Sequence, residues 1–161
     1  MDYLWSPWRY DYLASGATKP PTCVFCIGDD PSHDPERLVV FRGTHNFIIL
    51  NLFPYTSGHV MVAPYRHIGD FGELENEEAL EIHQLAGQSL GALAAAYAPQ
   101  GYNLGWNLGR IAGAGVLDHV HEHVVPRWAG DTNFMPVLAD VKVLPEHLVE
   151  TRRRLAEAWP R

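Results

Sequence analysis

The chain has 161 residues, 47% of them hydrophobic and 19% charged, with a formal net charge of −7. That length and balance suit one globular domain with a core of its own and exclude a disordered chain. No apolar run approaches the roughly 20 residues of a membrane span. The acidic excess argues against nucleic-acid polymers as partners but leaves room for a phosphate ligand held by local donors.

The chain starts Met1-Asp2-Tyr3-Leu4-Trp5, without a basic region leading into an apolar one, so a cytoplasmic location is expected. Residues 1–20 read as an aromatic arm, with Trp5-Ser6-Pro7-Trp8-Arg9 packing on the body or on a second subunit, and residues 21–161 as the domain proper. The two cysteines, Cys23 and Cys26, are spaced C-x-x-C. In a reducing compartment this spacing reads as half a metal site or a redox pair before a disulfide. Breakers make residues 28–36 a loop. Leu38–Phe41 and Phe47–Leu50 predict an antiparallel strand pair. Residues 51–58 predict a turn, and His59–Ala63 a strand stopped by Pro64. Leu74, Ile82, Leu85, Ala86, Leu90, Leu93, Ala94 and Tyr97 recur near helical spacing and predict one long helix over 75–97. Acids in its first turns suit the dipole, and Pro99 and Gly101 end it. Asn103–Leu108 predicts a strand and Gly109–Gly115 a glycine-rich loop. Residues 127–144 read as mixed, and residues 145–159 as a C-terminal helix with Leu148, Leu155 and Trp159 inward.

Between the loop and the C-terminal segment stands His119-Val120-His121-Glu122-His123-Val124-Val125-Pro126-Arg127. It reads as a strand closed by Pro126. Alternation puts the three histidines on one face, each roughly 7 Å from the next. Imidazoles in a row make a poor core, since each ring needs a polar partner. They make a good site, as nucleophile, proton carrier, phosphate donor or metal ligand. Strands, one long helix and strands again predict an α+β fold with the helix on one sheet face.

His-x-His-x-His followed by two apolar residues and Pro-Arg resembles the signature of the histidine triad (HIT) family of nucleotide hydrolases and transferases. Trp5-Ser6-Pro7-Trp8-Arg9 and the run Arg127-Trp128-Ala129-Gly130-Asp131-Thr132-Asn133-Phe134 are similar to its diadenosine tetraphosphate phosphorylase-like branch. The resemblance covers nearly the whole chain. It implies a HIT-like α+β fold: a five-stranded antiparallel sheet with a long helix and a C-terminal helix, paired with a second subunit as a homodimer or dimer of dimers. It implies that His121 is the nucleophile that takes up a nucleotidyl group, its attacking nitrogen unprotonated and its other nitrogen donating to a carbonyl. His123 would donate to the phosphate or the leaving group, and His119 would support the pair.

The same resemblance puts Asn51 where a ribose-binding Asp is common, although an Asx-turn accounts for it equally well. It puts Asn107 on the phosphate chain. Gly113-Ala114-Gly115-Val116 replaces a Gly-Gln-Ser/Thr segment, with Gly115 and Val116 at the Gln and Ser/Thr positions and one residue more before His119. Backbone N–H groups there can still cradle phosphate. Glu122 stands where an apolar residue is usual. Trp128 either stacks on a base or packs under the C-terminal segment. Cys23 and Cys26, with His67 and His119, match a structural zinc set; the alternative is a plain thiol pair. His33, His45, His59, His83 and His147 receive no role. The expected ligands are a dinucleoside polyphosphate or adenine nucleotide and inorganic phosphate, used for phosphorolysis of diadenosine tetraphosphate, with hydrolysis of a polyphosphate or phosphoramidate as the alternative. A nucleotide-binding module with incidental turnover and a zinc protein using all three histidines are the rival classes.

Overall fold

A computed structural model describes residues 23–131 and 146–160. The aromatic arm and the run beyond Asp131 lie outside the described residues. A 3-10 turn (Pro31–His33) leads into a one-turn helix α1 (Asp34–Arg37), then β1 (Val39–Arg42), β2 (Asn46–Leu50) and β3 (Val60–Pro64). Helix α2 (Asn76–Tyr97), β4 (Gly101–Trp106), β5 (Glu122–Arg127) and α3 (Leu148–Glu157) follow. The loop expected over 28–36 therefore holds a helical turn. Asp34 anchors that turn by accepting two bonds from Arg42 Nε and Nη2 at 2.9 and 2.7 Å, while Arg42 Nη1 also donates to the Gly28 carbonyl at 2.8 Å.

The five strands form one antiparallel sheet in the order β1-β2-β3-β5-β4. Every residue of β2 and β3 is buried, because both faces are covered. One face, with Val40, Ile48, Val62 and Val124, packs on Ile82, Leu85 and Leu93 of α2 and Leu155 of α3. Trp159 closes that core by stacking on Phe41 at 4.9 Å. Leu93 is 0% exposed, so truncating it to alanine would cost about 2–5 kcal/mol. The other face, with Val39, Phe47, Ile49 and Met61, packs on Phe25 and Ile27 from the cysteine loop. On α2 the buried stripe includes Ser89 and Ala92 and leaves Ala94 exposed, a small rotation from the stripe the periodicity suggests. No helix among the described residues is long and apolar enough to cross a membrane.

Two polar clamps fix the frame. The Glu81 carboxylate on α2 accepts the backbone N–H groups of Thr44, His45 and Asn46 at 2.7 Å each, holding the β1–β2 turn. Glu78 accepts both Nε and Nη2 of Arg66 at 2.7 Å, tying the segment after β3 to the start of α2. The expected end of the histidine strand differs. Pro126 lies inside β5 opposite Tyr102, and β5 begins at Glu122, so His119 and His121 approach it in irregular backbone. A proline is tolerated there because pairing with β3 ends at Val124, leaving no ladder on that side to interrupt.

Candidate active site and metal centre

His121 is held by its own chain. Its Nδ1 lies 2.9 Å from the His119 carbonyl oxygen. A carbonyl only accepts, so Nδ1 carries the hydrogen and Nε2 a lone pair. Burial lowers the His121 pKa against the upward pull of that hydrogen bond, which favours the neutral ring. Phe25 lies against it with ring centres 4.6 Å apart, and also against His119 at 5.2 Å. His123 follows, its ring centre 4.9 Å from that of His121, with its Nε2 3.3 Å from the Asn107 amide nitrogen.

His119 faces the other way. Its Nε2–H donates to the Pro64 carbonyl at 2.8 Å, which leaves Nδ1 free to face Cys23 Sγ at 3.5 Å. His67 Nδ1 stands 3.4 Å from Cys26 Sγ. The four donor atoms of Cys23, Cys26, His67 and His119 all lie within 4.8 Å of one another, so the set is positioned to bind a metal ion. Burial and the neighbouring Cys23 thiol push the Cys26 pKa up, which is the repulsion a bound cation relieves. Arg66, tied to Glu78, fastens the backbone beside His67.

A cleft of about 460 Å³ opens over His121 and His123. Val24, Ile27, Ile49 and Phe53 give it an apolar wall. Asn51, Asn107, Gly113, Gly115 and Val116 line it as the sequence suggests. Asn51 is also an Asx-turn residue, since its Oδ1 accepts the Phe53 N–H at 2.9 Å; the two readings hold together. Ala114 is 4% exposed and faces a second hollow beside His119, away from the cleft. Trp128 is half-buried with its N–H on Asp131, and it is not among the residues lining the cleft. Glu122 points to the helix side, half-buried near His83 and Trp106, and burial raises its pKa.

The family model for the HIT domain matches residues 33–130. The chain belongs to the HIT family. A HIT relative from Mycobacterium tuberculosis named AP-4-A phosphorylase is 38% identical over 167 aligned residues, covering 100% of this chain and 86% of that protein. A HIT-like protein of Methanocaldococcus jannaschii is 32% identical over 68% of this chain and 81% of its own length. Among solved structures, a Zn-bound histidine triad family protein from Mycobacterium smegmatis matches with a TM-score of 0.65 and 24% identity, over 85% of this chain and 92% of that one, which establishes the shared fold.

Within this HIT site the sequence reading left two residues out. Phe25 packs on the His121 ring, and its only local cue is its place inside C-x-x-C. His59 is 0% exposed and its Nε2 lies 2.9 Å from His123 Nδ1. The cue for His59 was strand parity. Met61 pairs with His123, so His59 falls on the histidine face, but only once β3 is known to neighbour β5.

Proposed function

We propose that this protein is a nucleotidyl-transferring enzyme that cleaves diadenosine tetraphosphate by phosphorolysis. His121 Nε2 attacks the α-phosphorus of one adenosine, the bond to the bridging oxygen breaks, and ATP leaves with that electron pair. The adenylyl group stays on His121. Inorganic phosphate attacks the same phosphorus, the P–N bond breaks back to the imidazole, and ADP leaves. Tetraphosphate and phosphate thus become ATP and ADP, one hard displacement split into two easier ones.

The observation that carries this reading is the buried Nε2 lone pair of His121, fixed by the His119 carbonyl and facing the cleft. The apolar wall suits a purine, and Asn51 suits ribose hydroxyls. Gly113 and Gly115 offer backbone N–H groups without side chains, a space that suits an anion with several acceptors better than one water. The full-length relative named AP-4-A phosphorylase supports the same choice. Incubation with labelled inorganic phosphate tests it. Labelled ADP is expected; AMP formed at an unchanged rate without phosphate would mean hydrolysis.

The metal we propose is zinc, structural in role. Tetrahedral zinc with ordinary bond lengths separates sulfur and nitrogen ligands by roughly 3.6 Å. The Cys23–His119 and Cys26–His67 pairs stand at 3.5 and 3.4 Å. The ion would supply a fixed anchor, and the chemistry stays with the histidines. Thiolate ligands suit the reducing cytoplasm. The outer strand β4 pairs on one side only among the described residues, so its other edge suits the paired sheet of a homodimer or dimer of dimers.

A further inference from the structure

We infer that a second hollow, beyond His123, is the subsite for the distal nucleoside of the dinucleotide, the half that departs with the leaving group. The hollow encloses about 400 Å³ and runs along the outer strand pair, β4 and β5. Tyr55, Asn107 and His123 line both it and the cleft, whereas His121 lines the cleft alone. The two cavities therefore meet at a shared wall. In phosphoryl transfer the attacking and leaving atoms lie roughly in line through the phosphorus. With one nucleoside in the cleft beside His121, the other half of the substrate leaves on the far side of the phosphorus, and the hollow is the space that continues the cleft past His123.

Strand register supplies the floor. Gly105 pairs with His123, Asn103 with Val125 and Gly101 with Arg127, so Asn103, Gly105, His123, Val125 and Arg127 share one face. A Cβ on Gly105 would meet no atom within 4 Å, so the space above it is open. Val125 is 6% exposed and makes the floor apolar. Thr56 Oγ1 donates to the Pro126 carbonyl at 2.8 Å and docks the turn carrying Tyr55 against β5. Arg127 stands at the far end, roughly 13 Å from His123 at about 3.3 Å rise per residue, a span comparable with the reach of a triphosphate and its ribose. Its guanidinium is bonded all round its edge. Nε and Nη2 donate to Asp131, the latter at 3.0 Å, and Nη1 donates to Asn103 Oδ1 at 2.8 Å. With its charge matched by Asp131 and its N–H groups engaged, Arg127 makes a poor phosphate clamp. Its plane, however, is fixed, and the side chain is 46% exposed. A fixed guanidinium plane is a surface on which a base stacks. The ligand class is therefore a nucleoside rather than one more phosphate, and such a stack tolerates any base.

This inference rests on the proposed action on dinucleoside tetraphosphates, and binding is read apart from turnover. The probes are diadenosine tetraphosphate and adenosine 5′-tetraphosphate, which share a four-phosphate chain and differ in the distal adenosine. Both are titrated into the full chain carrying His121→Ala. The dinucleotide should bind about tenfold tighter, the scale of one stacked base. Adding Gly105→Leu, which fills the hollow, or Arg127→Met, which removes the plane, should erase most of that advantage and leave the affinity for adenosine tetraphosphate within about twofold. Arg127→Lys keeps the charge but not the plane and should behave as Arg127→Met does. Equal affinity for the two probes in the parent, or an advantage that survives both Gly105→Leu and Arg127→Met, overturns the inference. So does a loss that falls equally on both probes and is restored by Arg127→Lys, since that marks a phosphate contact. Should His121→Ala fail to fold, the ratio of kcat/KM on the two compounds in otherwise wild-type protein and in the Arg127 variants reads the same difference. A dinucleotide advantage without turnover supports the subsite and refutes the proposed function; phosphate-dependent turnover without the advantage does the reverse.

Discussion

The carbonyl oxygen of His119 accepts the Nδ1–H of His121 at 2.9 Å, while the ring of His119 turns its own Nδ1 toward Cys23. One residue thus belongs to two centres. Its side chain belongs to the set positioned to bind a metal and its backbone sets the tautomer of His121. The cysteine loop closes the connection from the other side, since Phe25, between Cys23 and Cys26, packs on both rings. The candidate metal set and the geometry of His121 are consequently one structural unit.

Replacing the nucleophile should separate binding from chemistry. His121→Ala is expected to lower kcat by at least about a thousandfold, on the scale of losing a covalent nucleophile, while adenine nucleotides still bind. Steady-state kinetics beside equilibrium nucleotide titration checks this. Activity within about tenfold of wild type would contradict the role of His121.

Purified protein should carry about one zinc per chain by elemental analysis. Because binding energy at a structural site is also folding energy, Cys23→Ala should lower Tm by roughly 5 °C or more. It should also weaken nucleotide binding, because Val24, Phe25 and Ile27 line the cleft. Metal-free protein of full stability and full affinity would break the link between the two centres.

Glu81 predicts an acid-dependent loss of stability. Burial pushes its pKa up, but the N–H groups of Thr44, His45 and Asn46 outweigh that and the folded pKa is lowered. An unfolded glutamate titrates near about 4.3. The contribution of Glu81 is therefore complete above that value and is lost as pH falls through it toward the lower folded value. Urea melts should find Glu81→Ala less stable than wild type by about 2–3 kcal/mol at pH 7, the scale of charge-assisted hydrogen bonds left unmade, with the gap narrowing in acid. A gap that stays constant down to pH 3 would argue against this clamp.

Leaving-group chemistry gives a fourth expectation. Because a polyphosphate leaves as a stable anion whereas an alkylamine must be protonated as it leaves, an adenosine phosphoramidate with an alkylamine leaving group should have a kcat/KM lower than diadenosine tetraphosphate by about 10²-fold or more, the usual contribution of a general acid. Comparable rates on the two compounds would mean that a proton is delivered after all.

Much of this protein is determined by local sequence. The spacing of His119, His121 and His123, the C-x-x-C pair, the helical stripe from Ile82 to Leu93 and the breakers between elements depend only on neighbours along the chain, and each has a periodic or conformational signature. The tertiary structure alone decided what those residues meet. Cys23 reaches His119 across 96 positions and His59 reaches His123 across 64, contacts with no local pattern to announce them. Pro126 reads as a strand terminator until β3 is seen to stop pairing at Val124. Tautomers follow the same rule. Which nitrogen of His121 carries a hydrogen is fixed by the His119 carbonyl that the fold brings alongside, and no pattern along the strand announces it.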